Sequence, residues 1–184
     1  LNRLVGVKLA IVSDKPQTTR NRILGVRNYE GAPVERAPGT TLAQVVYLDT
    51  PGIHNPHTRL GKSMVDQARM ALGGVDLFLF VADVSKPPNE EDKEIAKMLK
   101  PFAQLGGEGP SAEKIPLIKC LNKMDVLKAE NVADHVEAYC KLLGTEEYML
   151  TSATKGDNID KLLQMILHHI PEGEAHYDLD EFTD

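Results

Sequence analysis

The stretch IKCLNKMD, residues 118–125, decides how this chain is read. Its first half is an apolar run typical of a buried strand, and its second half places an amide, an amine and a carboxylate within four residues. Polar groups concentrated where a buried strand ends are typical of a ligand site at the edge of a parallel sheet. The flanking sequence decides whether such a sheet is present.

Strands and helices alternate along the chain from residue 42 onward. The predicted strands span 42–49, 75–83, 115–121 and 147–151. The predicted helices span 59–74, 89–100, 131–144 and 158–170. Asn89 is the expected N-cap of one helix and Gly144 the stop of another, and the strand at 75–83 is apolar enough for both faces to be covered. The alternation predicts an α/β fold with a mostly parallel sheet and helices on both faces.

The other segments are shorter or less regular. Residues 1–6 have helical spacing that ends at Gly6, and 7–12 are a strand or an extended lead-in. Loops are predicted at 13–20, 28–41 and 106–114. Lys119 interrupts its apolar strand, and we interpret it as an altered or edge-facing position.

The bulk composition limits the classes of function. The 184 residues suffice for one domain with a real core, and the net charge of −6 argues against attraction of nucleic acid over the whole surface. No apolar run approaches the about 20 residues that cross a bilayer. Cys120 and Cys140 are the only cysteines, and their apolar contexts predict free thiols in a reducing compartment.

Three polar segments follow three predicted strands. They are residues 49–52, 122–125 and 151–153. Because the carboxyl ends of parallel strands meet at one edge of a sheet, we expect these segments to form one site.

The segment 122–125 has the chemistry of a guanine site. The Asp125 carboxylate can accept two parallel N–H bonds, which guanine offers and adenine does not. Asn122 can meet the acceptor edge of the base and tie neighbouring loops together, and Lys123 can lay its stem along the purine face. The alternative is a polar turn in which Asp125 or Asn131 merely begins the next helix.

The other segments fit a metal-bound phosphate. An acid such as Asp49 can hold Mg²⁺ through water, and the Gly52 N–H can approach a terminal phosphate. A hydroxyl in the loop 16–20 can bind the same metal. At 151–153 a small residue with backbone N–H groups can contact the base carbonyl. Ordinary turns are the alternative for each of these segments.

Taken together, the motifs resemble those of the Era family of ribosome-assembly GTPases, in the translation-factor-related class. The resemblance covers nearly the whole chain, and KPQTTR is its most specific piece. It is carried by LNRLVGVKLAIVSDKPQTTRNRILGV, VVYLDTPGIH, LNKMD, TSATKGDNIDKL and EAHYDLDEFTD. It implies a P-loop NTPase-like G domain that binds and hydrolyses GTP.

The resemblance also implies roles for individual residues. Thr19 would bind Mg²⁺, with Thr18 as the alternative, and Asp49 would hold the metal's water shell. The catalytic residues would be Thr19 and Gly52. Where many small GTPases place a water-orienting glutamine this chain has Ile53, so a backbone group, another residue or a monovalent cation would position the water. GTP or GDP would be bound by Asp49, Thr50, Pro51, Gly52, Ile53, Asn122, Lys123, Met124, Asp125, Ser152 and Ala153.

The family layout adds expectations about the domains. Residues 1–171 would form the G domain, with 53–73 as its second switch, and 172–184 an acidic linker toward a KH-type RNA-binding domain. The family's phosphate loop, G-x-x-x-x-G-K-S/T, would end just before Leu1. The chain by itself is therefore expected to bind GTP poorly and to hydrolyse it negligibly.

The implied function is a GTP-hydrolysing switch in small ribosomal subunit assembly, which contacts small-subunit rRNA through the KH domain. Two alternatives stay open: a GTPase-like binding module that hydrolyses nothing, and a related GTPase acting on tRNA modification or the large subunit. The implied location is cytoplasmic, with an organelle matrix or stroma as the alternative. Peripheral association with the inner membrane face is also implied, and no DNA partner is expected.

Overall fold

The computed structural model describes residues 1–8, 23–30, 42–49, 75–100, 115–173 and 177. The chain divides into two compact units, which are described separately. One unit comprises Leu1–Gly73 together with Ile170–Asp184, and the other comprises Gly74–His169.

The first unit contains a short helix and a two-stranded antiparallel sheet. Helix α1, Asn2–Val5, ends at Gly6, whose φ of 85° is the left-handed conformation that glycine adopts without strain. Strand β1, Ile23–Glu30, pairs with β2, Leu42–Asp49, in a register that runs from Ile23–Asp49 to Glu30–Leu42.

Strand β1 corrects one prediction made from the sequence. Residues 28–30, assigned to a hairpin loop, continue the strand and pair with Gln44, Ala43 and Leu42. Gly25 and Arg27 disturb the apolar alternation of β1, so its periodicity does not identify it as a strand. The predicted strand β2 at 42–49 is confirmed.

A buried polar cluster joins α1 to the two strands. The Leu4 carbonyl accepts hydrogen bonds from Arg27 Nη1 at 2.8 Å and from the Tyr29 hydroxyl at 2.9 Å. The Tyr29 hydroxyl has a single proton, so the 2.9 Å contact with Tyr47 makes Tyr47 the donor. Arg27 lies 4.8 Å from the centre of the Tyr29 ring. Burial raises the pKa of both tyrosines, so they remain neutral donors at physiological pH.

The second unit is built on a three-stranded parallel sheet. Strands β3 (Phe78–Asp83), β4 (Leu117–Asn122) and β5 (Tyr148–Leu150) lie in the order β3-β4-β5. Every residue from Leu117 to Leu121 is buried, so both faces of the central strand are covered. The predicted parallel sheet is confirmed.

The α-helices described in this unit are α2 (Glu90–Leu99), α3 (Val132–Leu143) and α4 (Ile159–His169), each within two residues of its predicted bounds. Asn89 caps α2 in a capping box with Asp92, and Gly144 ends α3 with a φ of 63°. The helix predicted at 59–74 and the loops predicted at 13–20 and 106–114 lie outside the described residues.

Strand β3 departs from its prediction in two ways. It begins at Phe78 rather than Val75, and Val81 is 60% exposed, so the expectation that both faces are covered is wrong at that position. Phe78, Phe80 and Ala82 are buried on the other face.

Lys119 is neither at an edge nor exposed. It lies within the central strand β4 with 0% of its surface exposed, and its Nζ donates to the Thr145 carbonyl. Burial lowers the pKa of this lysine, against the opposing influence of Cys140, Glu146 and Glu147. The lysine therefore uses its length to bring a donor to a backbone oxygen beyond the end of α3.

The two cysteines, Cys120 and Cys140, are both buried free thiols, as predicted. Burial raises the pKa of each thiol. They are therefore protonated, apolar parts of the core near neutral pH.

Candidate functional site

The residues of the predicted base site occupy the turn at the carboxyl end of β4. Asn122 is the last residue of the strand, and Lys123 follows in the left-handed conformation with φ 66° and ψ 33°. Such a backbone is uncommon for a residue with a side chain and costs free energy on the order of 1 kcal/mol or more. It turns the chain at once into a short 3₁₀ segment, Met124–Val126.

Asn122 ties this turn to the segment that follows β5. Its Oδ1 accepts the Ala153 N–H at 2.9 Å and the Thr151 hydroxyl at 3.4 Å. The backbone supports the same junction, because the Met124 N–H donates to the Thr151 carbonyl at 2.9 Å. The two predicted base-site segments of this unit therefore lie against each other, and Asn122 bridges them as expected.

The turn from Ser152 to Asp157 is closed by its own hydrogen bonds. The Ser152 N–H donates to the Asp157 carbonyl at 3.1 Å, and the Gly156 N–H donates to the Ser152 carbonyl at 2.7 Å. The buried Ser152 hydroxyl accepts the Lys155 N–H at 3.2 Å and bonds to Thr154 at 3.1 Å. Ser152 thus shapes the turn, while a base contact for Ser152 or Ala153 stays a prediction.

Asp125 carries the acceptors that the site needs. Its side chain is half-buried at the start of the 3₁₀ segment. Of the residues that the structure describes, none donates to its carboxylate. A carboxylate with two uncommitted oxygens fits the parallel N1–H and N2–H donors of guanine, and it would repel the acceptor that adenine presents.

Asp83, which was not among the residues predicted from the sequence, contacts Lys123 of the predicted base site. Asp83 ends β3 opposite Asn122, and its Oδ2 accepts a hydrogen bond from Lys123 Nζ at 2.7 Å. Its Oδ1 accepts from the Ser85 hydroxyl at 2.5 Å and from the Ser85 N–H at 3.1 Å. Partial burial acts to raise the pKa of Asp83, but the bonds from Lys123 and Ser85 outweigh it and lower the pKa.

A signal for Asp83 was present in the sequence. It is an acid at the carboxyl end of the strand next to the one that carries Asn122, and Ser85 two residues later is suited to hold it.

The predicted phosphate and metal residues are represented in the described part by Asp49 alone. Asp49 is the last residue of β2, is half-buried, and pairs with Ile23. Thr18, Thr19, Thr50, Pro51, Gly52 and Ile53 lie outside the described residues. The roles predicted for these residues, and the placement of Asp49 beside the base site, stay predictions.

The described ranges carry no sign of two other classes of site. They hold no group of three or more His, Cys, Asp or Glu side chains placed to bind a metal ion. None of the helices within them is long and apolar enough to cross a membrane. His168 and His169 end α4, and His169 pairs with Glu147 at 3.0 Å.

Comparison with known proteins identifies relatives of this chain. The model of a family described as 50S ribosome-binding GTPase matches residues 1–123. The GTPase Era of Heliobacterium modesticaldum is 40% identical over 184 residues, and that of Geobacter metallireducens is 36% identical over 184 residues. Each alignment covers 100% of this chain and 54% of the relative, so the chain spans about half the length of these relatives.

Solved structures agree with the sequence comparison. Era in complex with MgGDPNP and nucleotides 1506–1542 of 16S ribosomal RNA superposes with a TM-score of 0.78 and is 34% identical. An Aquifex aeolicus Era variant bound to GDP·AlF₄⁻ gives a TM-score of 0.77 and is 36% identical. Both matches cover 100% of this chain, and they cover 55% and 56% of the solved chains.

Proposed function

This chain belongs to the family of 50S ribosome-binding GTPases, which confirms the GTPase class that its motifs indicate, and from that premise we propose that it binds guanine nucleotide as part of a GTP-hydrolysing switch. The whole protein would convert GTP to GDP and phosphate. It would present a surface for a partner in the GTP state and lose that surface in the GDP state.

The observation that carries the proposal is the junction at the carboxyl end of β4. Asn122 holds the turn 151–153 against its own strand, and the Asp125 carboxylate is left with both oxygens uncommitted among the described residues. A rigid support next to an open pair of acceptors is what recognition of a two-donor base edge requires. A polar turn that merely began a helix would use these groups internally.

We propose Mg²⁺ as the metal, because the related Era structure was solved with MgGDPNP. Mg²⁺ prefers oxygen ligands, and the carboxylate of Asp49 and the hydroxyl of Thr19 or Thr18 are of that kind. When bound, the ion would neutralise charge on the β- and γ-phosphates. We further propose that a monovalent cation orients the attacking water, because the apolar side chain of Ile53 cannot do so.

We propose small ribosomal subunit assembly as the process and small-subunit rRNA as the partner. The support is similarity to proteins named GTPase Era, one of which was solved with a segment of 16S rRNA. The net charge of −6 favours RNA contact through a separate domain of the whole protein rather than through this chain. The cytoplasmic location and peripheral membrane association stay predictions.

The base site is tested by the Asp125→Asn substitution in the complete protein. An amide keeps the size of the side chain but replaces one acceptor with a donor, which matches the carbonyl of xanthine instead of the amino group of guanine. We expect affinity for GDP to fall by at least about 100-fold, because the mismatch leaves buried polar groups unpaired, and affinity for XDP to rise. Titration calorimetry with GDP and XDP measures both changes in affinity.

The matched control is Asp134→Asn, which removes an exposed carboxylate from α3. This variant should keep the wild-type preference for guanine. If Asp125→Asn also keeps that preference, the base does not lie where we propose. If the complete wild-type protein binds GTP but releases no phosphate, the non-hydrolysing binding module is the correct alternative.

A further inference from the structure

We propose that Asp83 is a positioning residue of the guanine site, which holds the Lys123 side chain across the carboxyl ends of β3 and β4 so that its stem forms one wall for the base. The inference rests on the proposed function, because it assigns a task to a residue beside the proposed base site. Asp83 would not touch the reacting phosphates, and it would act on the nucleotide through Lys123.

The two oxygens of the Asp83 carboxylate have separate tasks. Oδ1 accepts hydrogen bonds from both the hydroxyl and the N–H of Ser85, at 2.5 and 3.1 Å, and these two bonds fix the plane of the carboxylate. Oδ2 is left to accept Lys123 Nζ at 2.7 Å. An ion pair on a mobile surface would lack such an anchor, so the geometry points to a built receptor for the lysine ammonium group.

The backbone under Asp83 is held equally firmly. The Val84 N–H donates to the Asn122 carbonyl at 3.0 Å, and His135 Nδ1 lies 2.7 Å from the Val84 carbonyl, so that nitrogen carries the proton. The Tyr139 hydroxyl lies 3.4 Å from the Asp83 carbonyl. Strand β4 and helix α3 therefore both hold the backbone at Asp83 and Val84, which limits how far the carboxylate can move.

Lys123 needs such a partner more than most lysines do. Its backbone is left-handed, its ammonium group reaches Asp83 at the end of the neighbouring strand, and its side chain is 56% exposed. A lysine stem has four methylene groups joined by rotatable bonds. Without a fixed partner, its rotamers would have to be ordered when the base binds. With the ammonium group held at Asp83, the stem is ordered before the nucleotide arrives.

The experiment compares GDP affinity, kcat and KM for GTP in the complete protein and its Asp83→Asn variant. The pair is partly exposed, so we expect Kd and KM to rise about three- to fivefold. The value of kcat should stay within twofold, because no group at the phosphates changes. Ser85→Ala keeps the charge and frees the carboxylate, and it should raise Kd by a smaller factor of about two.

Three controls separate positioning from a merely structural role. Asp83→Glu keeps the charge and should recover part of the affinity. Glu137→Gln removes a surface ion pair, Glu137 Oε1 to Lys141 Nζ at 2.5 Å, and should leave Kd unchanged. In a double-mutant cycle, Lys123→Met should cancel the effect of Asp83→Asn, since the two residues act as a unit.

The outcomes are distinct. Wild-type affinity in a folded Asp83→Asn variant, or effects of Asp83→Asn and Lys123→Met that simply add, would overturn the inference. A loss of melting temperature with unchanged Kd would also overturn it, because it would leave Asp83 a structural residue. Failure of the wild-type protein to bind GDP would instead refute the proposed function.

Discussion

Replacing Lys119 by methionine should leave the free energy of unfolding unchanged or raise it, whereas replacement by alanine should lower it. Lys119 is fully buried in the central strand, beside Phe80 and Tyr148, and its Nζ donates to the Thr145 carbonyl. Methionine retains an unbranched stem of similar length and removes the ammonium group. Alanine removes the stem as well and leaves a cavity.

The magnitudes follow from the surroundings of Lys119. Burying an ammonium group costs on the order of several kcal/mol, and one hydrogen bond from a charged donor returns about 1.5–3 kcal/mol. Methionine should therefore change the free energy of unfolding by about 0 to +2 kcal/mol. Alanine should lower it by about 2–5 kcal/mol. In a protein of this size each kcal/mol moves Tm by about 2–4 °C.

The pH dependence provides a second measurement. Burial lowers the pKa of Lys119 in the folded state, so between that pKa and the ordinary lysine value of about 10.4 the unfolded chain binds more protons. The contribution of Lys119 to the free energy of unfolding therefore increases as pH rises through this window. The buried thiols act in the opposite direction, since their pKa values are raised and their contribution is lost above about pH 8.5.

Chemical denaturation of the complete protein from pH 7 to 10 separates these contributions. The stability of wild type minus that of Lys119→Met should rise with pH, because contributions from groups that do not interact with Lys119 cancel in the difference. Lys161→Met, which changes an exposed lysine on α4, should give a flat difference. A flat difference for Lys119→Met, or a loss of stability as large as that of Lys119→Ala, would refute the argument.

Two further substitutions test the local contacts. Asn89→Ala removes the capping box with Asp92 and should lower the free energy of unfolding by about 1 kcal/mol, measured by urea denaturation; an unchanged midpoint would mean that the cap is redundant. Asn122→Ala leaves the Ala153 N–H without its acceptor and should cost about 1–3 kcal/mol of stability. It should weaken GDP binding too, and retained affinity in calorimetry would exclude Asn122 as the bridge of the base site.

The regular elements of the second unit were predictable because their signals are local. Asn89 with Asp92 begins α2, and Gly144 ends α3, for reasons that depend on only a few neighbouring residues. Strand β4 is recognisable because a run buried on both faces must be apolar on both. The turn that follows β4 was recognisable for the same reason, since Asn122 and Asp125 come where that apolar run stops.

The features that escaped prediction depend on distant partners. Strand β1 is specified by its pairing with β2 and by the burial of Tyr29, neither of which is visible in the spacing of its own residues. Lys119 is tolerated because the Thr145 carbonyl, 26 residues away, lies within reach of its Nζ. Asp83 gains its significance from Lys123, 40 residues later in the chain. Tertiary contacts of this kind override local preference.

The Leu4 carbonyl links folding of α1 to folding of a much later segment. The two side-chain donors described for this carbonyl, Arg27 and Tyr29, both come from β1. The Tyr29 donor is in turn held by Tyr47 on β2. During synthesis, this set of hydrogen bonds can therefore be completed only after residue 47 has emerged from the ribosome.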